Sequence, residues 1–210
     1  MERVLGVLAG GDLPGDRLAA WARSATRIYA ADGAADRLLA ARVRPHVVVG
    51  DLDSLRASPA ELVGIEVVLS TDQETSDADK LLALLAGRGY GAATLVGLEG
   101  DRLDHMLAAL GSAAVSGLEL SLGLRTGWGR VLRPGVSLFD LASGTTVSVL
   151  PLTPCEGVSL TGVEWPLAEE TLALGGRISI SNRAVGGPVR VEIGTGTALL
   201  VAGTGPDPHW

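Results

Sequence analysis

The residues able to do chemistry in this chain are carboxylates, and their positions say more than their number. Asp32 follows a short apolar run at 27–31. Asp51 and Asp53 sit in Gly50-Asp51-Leu52-Asp53-Ser54, directly after a Val-rich run at 46–49. Asp72, Asp77 and Asp79 follow the run at 65–69, and Glu99, Asp101 and Asp104 follow the run at 93–96. If these runs are strands of one parallel sheet, four acidic segments meet at its carboxyl edge, where open α/β sheets bind ligands. Carboxylates gathered there repel one another. Two unit charges ~4 Å apart at an effective dielectric of ~20 cost about 4 kcal/mol. The cations nearby in sequence are few: Lys80, Arg102 and Arg37. A hard divalent metal relieves the crowding. Mg²⁺ takes a few carboxylates together with water and substrate phosphate. The expected ligand is therefore a metal-bridged polyphosphate, and the expected chemistry is positioning and charge stabilisation.

Plainer readings stand beside this one. Asp36, Ser76 and Asp101, taken singly, suit helix caps, because Asp and Ser satisfy exposed N–H groups at helix starts. Lys80 suits a surface pair with Asp77 or Asp79 on its own helix. His105 suits a structural helix histidine. Asp51 and Asp53 favour function, since two carboxylates two residues apart, beside Gly50, can turn toward one ion. There is no G-x-x-x-x-G-K-[ST], no G-x-G-x-x-G after a strand, no H-E-x-x-H, no paired Cys/His zinc spacing and no G-x-S-x-G. P-loop, dinucleotide, zinc-hydrolase and serine-hydrolase chemistries lose their usual signatures.

The elements that must position these acids alternate. Strands are expected at 3–8, 27–31, 46–49, 65–69 and 93–96. Helices are expected at 17–23, 36–41, 77–86 and 102–115, with a turn at Gly10-Gly11. Alternating strands and helices imply βαβ units and a mostly parallel sheet with flanking helices, a Rossmann-like α/β unit. After about Gly117 helical periodicity fades. Short alternating runs at 146–150, 158–160, 177–180, 189–193 and 198–201 take over, separated by Gly and Pro pairs. They imply an antiparallel β-sandwich. The expected domains are 1–126 and 127–210.

Composition sets the bounds. The chain has 210 residues, 47% of them hydrophobic, which suits a folded globular protein. Its net charge of −7 and lack of a basic stripe argue against general nucleic-acid binding. No apolar run approaches the ~20 residues of a membrane span. The N-terminal MERVLGVLAGGDLP reads as a strand and loop rather than a signal peptide. A single cysteine, Cys155, fits a reducing cytoplasm.

Four segments, in order, resemble those of thiamine pyrophosphokinases. They are Ala31-Asp32-Gly33-Ala34, Gly50 to Ser54, Asp72 through Ser76-Asp77 to Lys80, and Gly97 through Arg102-Leu103-Asp104-His105. The second half adds Gly162-Val163-Glu164-Trp165-Pro166-Leu167 and Ser179-Ile180-Ser181-Asn182. The resemblance implies an α/β nucleotide domain followed by a β-sandwich, and a homodimer with thiamine at the subunit interface. It implies attack of the thiamine hydroxyl on the β-phosphorus of ATP, giving thiamine diphosphate and AMP. Asp51, Asp53 and Asp77 would hold Mg²⁺, with Asp32 and Gly33 beside the metal or nucleotide. Lys80 and Arg102 would meet phosphates, with Asp104 organising that loop. Trp165, Ser181 and Asn182 would bind thiamine, whose thiazolium suits an indole face worth ~0.5–2 kcal/mol. For Trp165 the plainer reading is a plug in the sandwich core.

The chain departs from the family pattern at Gly100-Asp101, where two glycines are usual, at Ala109, where Asn is frequent, and at Ala34 in place of a second glycine. Competing expectations are a pyrophosphokinase for another small alcohol, such as a hydroxymethylpterin, and a nucleotide- or thiamine-binding module without turnover. A third treats the acids as solvated caps.

Overall fold

A computed structural model describes residues 2–9, 14–100 and 102–203. The expected Gly10-Gly11 turn and Asp101 lie outside them. The chain divides into two compact units, Met1–Leu120 and Ser121–Trp210.

In the first unit, β1 (Val4–Val7), β2 (Arg27–Ala31), β3 (Val47–Gly50), β4 (Glu66–Leu69) and β5 (Ala92–Val96) pair in the order β5-β1-β2-β3-β4. The pairs β1–β2, β1–β5, β2–β3 and β3–β4 are all parallel. β1 and β3 are buried at all four positions. Strands covered on both faces read as unbroken apolar runs, which is why VLGV and VVVG lack alternation. From β1 the chain steps outward through β2, β3 and β4, then returns to place β5 on the other side of β1. That reversal makes a crevice at the carboxyl ends of β1 and β5.

The helices are α1 (Gly15–Ser24), α2 (Asp32–Ala40), α3 (Asp77–Gly87) and α4 (Leu103–Val115). α3 starts on a capping box: the Ser76 hydroxyl accepts from the Asp79 amide, and the Asp79 carboxylate accepts from the Ser76 amide. Its Leu81, Leu82 and Leu85 are buried. α2 begins at Asp32, four residues earlier than its apolar pattern suggests, immediately after β2. Asp36 is therefore inside the helix rather than its cap, and its carboxylate accepts from the amides of Arg56 (2.9 Å) and Ala57 (2.8 Å).

The second unit holds antiparallel strands. β7 (Trp128–Leu132), β9 (Thr146–Pro151), β12 (Ser179–Arg183) and β14 (Ala198–Ala202) pair in the order β12-β9-β14-β7, and β6 (Glu119–Gly123) pairs with β7. A second sheet runs β11-β10-β13-β8, from β8 (Gly135–Leu141), β10 (Cys155–Thr161), β11 (Leu167–Leu172) and β13 (Gly187–Ile193). Side chains of both sheets share one core, including Trp128, Val147, Leu200, Phe139, Leu160 and Val189. The rings of Trp128 and Phe139 lie 5.6 Å apart at 41°. This is a β-sandwich, as the alternation after Gly117 implies. No helix of the described residues is long and apolar enough to cross a membrane.

Gly97 ends β5 at φ +76°, and a Cβ there would lie 2.1 Å from the Leu8 carbonyl oxygen. The Leu8 amide bonds the Val96 carbonyl at 2.9 Å, so β1 and β5 leave the sheet in contact. Gly97→Ala is expected to lower unfolding free energy by about 1–3 kcal/mol, the cost of strained backbone. Urea denaturation checks this; an unchanged midpoint would contradict the packing described.

Candidate functional site

A cavity of about 580 Å³ opens at the carboxyl edge of the parallel strands. Leu8 leaves β1 into it, Asp32 follows β2, Asp51 and Asp53 follow β3, and Leu98 follows β5. α3 adds Asp77 and Lys80, and the start of α4 adds Asp104 and His105.

Asp32 organises the loop after β3. It is 1% exposed. Its Oδ2 accepts from the Leu52 amide at 3.0 Å, and its Oδ1 from the Ser54 hydroxyl at 2.9 Å and the Gly33 amide at 2.7 Å. The loop must come close for this. A Cβ on Gly50 would lie 2.7 Å from the Asp32 carboxyl carbon, so only glycine fits. Leu52 holds φ 68°, a left-handed conformation that costs a branched residue ~1–2 kcal/mol. The bond from its amide to Asp32 helps hold it there.

The loop places Asp51 and Asp53 beside Asp32. One carboxylate oxygen from each of the three lies within 4.8 Å of the others. Lys80, 7% exposed, sends its Nζ to Asp51 Oδ2 at 3.2 Å, and Gln73 Nε2 reaches the same oxygen at 3.2 Å. Lys80 therefore crosses from α3 to the loop after β3 rather than pairing along its own helix. Its hydrogen bond is the main reason that the Asp51 carboxyl is pushed down to about 2. Asp53 is pushed up, first by its hydrogen bond to Asp51 and then by the Asp51 charge. The donor set is all oxygen, hard and crowded, which fits Mg²⁺ or a similar cation and not a thiolate-seeking metal.

The expected metal ligands were Asp51, Asp53 and Asp77. Asp77 lines the same cavity but is outside the close triad, whose third member is Asp32. Desolvation raises the Asp77 carboxyl, and the Asp32 charge adds to it. Arg102 and Asp104 form a two-pronged pair, with Nε to Oδ1 at 2.9 Å and Nη2 to Oδ2 at 2.6 Å. The pair is exposed at the cavity wall, and the guanidinium holds the Asp104 carboxyl well below its usual range. His105 is also in that wall, and Ala109 is a buried part of it. Asp72 is elsewhere: it closes a turn by accepting from the Glu74 amide and Thr75 hydroxyl. Asp79 serves the capping box, and Gly33 serves packing, with Ser54 Oγ 3.1 Å from where its Cβ would be. Ser54 and Gln73 are the members sequence reasoning gave no role. Ser54 stands in the acidic motif itself, whereas Gln73 carries no signal of its own.

In the second unit, Trp165 is 59% exposed, between β10 and β11, and is not a core plug. Asn182 is 3% exposed. Its Oδ1 accepts from the amides of Trp165 (3.1 Å) and Arg183 (2.9 Å), and its Nδ2 donates to the Trp165 carbonyl at 2.6 Å. Asn182 thus clamps the Trp165 backbone. Ser181 is exposed, at φ 55°, with its amide donating to the Ser148 hydroxyl at 3.1 Å.

A parallel-sheet unit with an acidic cleft at its carboxyl edge, followed by a β-sandwich, defines a two-unit α/β-plus-β enzyme class. Residues 18–118 match the thiamin pyrophosphokinase catalytic domain, and residues 138–199 match the thiamin pyrophosphokinase vitamin B1 binding domain. The chain belongs to the thiamin pyrophosphokinase family of enzymes. It is 27% identical over 194 residues to thiamine pyrophosphokinase 1 of Oryza sativa subsp. japonica, covering 77% of this chain and 73% of that protein. Its fold is similar to thiamine pyrophosphokinase of Bacillus subtilis, with a TM-score of 0.79 at 20% identity over 96% of this chain and 99% of that one. It is also similar to the Candida albicans thiamin pyrophosphokinase, with a TM-score of 0.79 at 16% identity over 97% and 90% of the two chains.

The Lys80–Asp51 pair generates a pH prediction. The folded-state pKa of Asp51 is below its ordinary 3.8. Its stabilising contribution is thus present above pH ~3.8 and lost as pH falls through about 2. In Lys80→Met the Asp51 midpoint, followed by carboxyl ¹³C NMR, is expected to rise from about 2 toward the ordinary 3.8. A midpoint that stays put would remove Lys80 from the account.

Proposed function

We propose that this protein is a thiamine pyrophosphokinase that transfers a pyrophosphoryl group from Mg-ATP to the thiamine hydroxyl, releasing thiamine diphosphate and AMP. The observation that carries the reading is the close set of Asp32, Asp51 and Asp53 oxygens in a cleft at the carboxyl edge of a parallel sheet. The family match supports the choice of thiamine over another alcohol, and it supports a cytoplasmic homodimer with ATP as donor.

In this reading residues 1–126 bind the nucleotide and 127–210 bind thiamine. Asp51 and Asp53 hold Mg²⁺ with Asp32, and Asp77 is a further ligand from the same cleft. Bound there, the ion would neutralise carboxylate and polyphosphate charge and would make the β-phosphorus a better electrophile. Asp32 keeps the β3 loop in place through its three hydrogen bonds, so the oxygens need little reorganisation on binding. Gly33 allows the close approach of that loop. Lys80 keeps Asp51 ionised and supplies a buried positive charge toward the phosphates. Arg102, oriented by Asp104, meets phosphate oxygens, for which a guanidinium fork is suited. The thiamine hydroxyl gives up its proton and forms a bond to the β-phosphorus as the bond from that phosphorus to the oxygen shared with the α-phosphate breaks, and AMP leaves with that oxygen. Trp165 offers its exposed indole to the cationic thiazolium, Asn182 fixes that indole's backbone, and Ser181 offers its hydroxyl to the aminopyrimidine.

Thiamine with Mg-ATP, assayed for thiamine diphosphate and AMP, tests the whole reading. Asp51→Asn is expected to abolish Mg-dependent AMP formation while the far-UV CD spectrum stays native. Trp165→Ala is expected to weaken thiamine by roughly 2- to 30-fold, equivalent to ~0.5–2 kcal/mol, and to leave ATP affinity unchanged. Native protein that binds both ligands yet forms no AMP would establish a binding module instead. Release of AMP with a hydroxymethylpterin and not with thiamine would move the acceptor.

A further inference from the structure

A second cavity, about 730 Å³, opens at the opposite end of the same parallel strands. It lies where β2, β3 and β4 begin, and its wall is built of hydrogen-bond donors. Tyr29 and Tyr90 meet edge to face at 5.7 Å, with hydroxyls 3.1 Å apart. Arg88 lies 5.4 Å over the Tyr29 ring and donates to the Tyr29 hydroxyl at 3.3 Å. Within the pair either hydroxyl can donate to the other, since an oxygen that accepts from Arg88 keeps a second lone pair. The bond to Tyr29 pushes the Tyr90 phenol up to about 12, so it keeps its proton.

Glu66 is the one carboxylate among the described residues lining this cavity, and it is taken: Arg88 donates to both of its oxygens. His46 Nδ1 accepts from the Ile28 amide at 3.1 Å, so the neutral ring carries its proton on Nε2, a further donor. Arg27 faces Glu2 only at 3.7 Å, beyond hydrogen-bond length. Arg44 uses one nitrogen on the Val63 carbonyl. Each of these guanidinia has five N–H donors, most of them left over after those contacts. Three guanidinia and one imidazole line this cavity, facing two carboxylates: Glu66, held by Arg88, and Glu2, 3.7 Å from Arg27.

We propose that this cavity is a binding site for a small oxyanion, a phosphate or a carboxylate, held by Arg27, Arg44 and His46 Nε2. Guanidinium forks match the paired oxygens of both groups. The net charge of −7 sets aside nucleic acid, which needs an extended basic surface. The site is separate from the acidic cleft: β2 alone, five residues at ~3.3 Å each, sets the two about 16 Å apart.

The test is an NMR titration of the full chain in EDTA, with inorganic phosphate in one arm and succinate in the other. Saturable shifts are expected at the Ile28 amide and the His46 ring with at least one anion. Arg27→Gln combined with Arg44→Gln is expected to weaken that binding about tenfold or more, the loss of roughly 1.4 kcal/mol of charge-assisted bonding. Arg102→Gln, in the other cleft, should leave it intact. The anion that binds more tightly names the ligand class. Absence of saturable shifts with both anions would overturn the proposal. So would equal affinity in the double variant. Should that variant not fold, Arg44→Gln alone, at an exposed position, carries the same comparison.

Discussion

Burying a carboxylate is expensive unless hydrogen bonds replace the lost water. Asp32 sits at the end of β2 with 1% of its surface exposed, and its donors are two amides and one hydroxyl, two of them from the loop after β3. The cost of burying this charge is thereby turned into a constraint on a neighbouring loop. If the 51–54 segment moved away, Asp32 would lose the Leu52 and Ser54 donors while remaining beneath the sheet edge. Removing donors from a buried charged group costs more than a typical exposed bond yields. The loop is therefore fixed by what it does for Asp32, and Asp51 and Asp53 are fixed with it. Gly50 belongs to the same constraint, because any side chain there would enter the space of the Asp32 carboxyl group.

The charges of the first unit are sorted to opposite ends of short strands. At the carboxyl ends stand three close carboxylates and one buried lysine. At the amino ends stand three arginines lining a cavity with one carboxylate. Parallel strands make this sorting possible, because every strand turns the same end to the same edge. Each edge then collects contributions from segments far apart in sequence. The acids belong to four different segments, and the donors at the far edge come from Arg27, Arg44 and Arg88, equally scattered.

Much of this architecture was legible in the sequence, for a physical reason. Strands buried on both faces leave continuous apolar runs, and an acid directly after such a run must lie at one edge of a parallel sheet. That argument reaches Asp32, Asp51 and Asp53 without coordinates. It does not reach Asp32's partners, because hydrogen bonds between residues 20 or 22 positions apart leave no local pattern. Nor does it separate Asp77, which lines the cleft, from Asp72, which closes a turn. Both follow β4 within a few residues, and only the path of the chain decides. In the sandwich, β6, β7, β8 and β11 escaped notice. β8 shows why: it is an edge strand, exposed at Val136 and Leu138 and buried at Phe139 and Leu141, so apolar residues occupy both faces and alternation is blurred. The helix α2 began early because its first turn, Asp-Gly-Ala-Ala, has too little apolar bulk to register a helical period.

The same device recurs in the second unit with an amide in place of a carboxylate. Asn182, nearly as buried as Asp32, bonds the N–H and the C=O of Trp165, the two groups an isolated loop residue would otherwise leave to water. A side chain that is both donor and acceptor reads one residue's backbone from both sides, which an ionised aspartate cannot do. The arrangement explains how an indole can stand 59% exposed without the loop beneath it being loose. Exposure of so large an apolar ring has a hydration cost, and the chain has only seven aromatic side chains in all: four Trp, two Tyr and one Phe. Holding one of them out of the core on a purpose-built backbone clamp forgoes burial that the sandwich would have gained. The thiazolium contact proposed for Trp165 would return part of that burial to the ring.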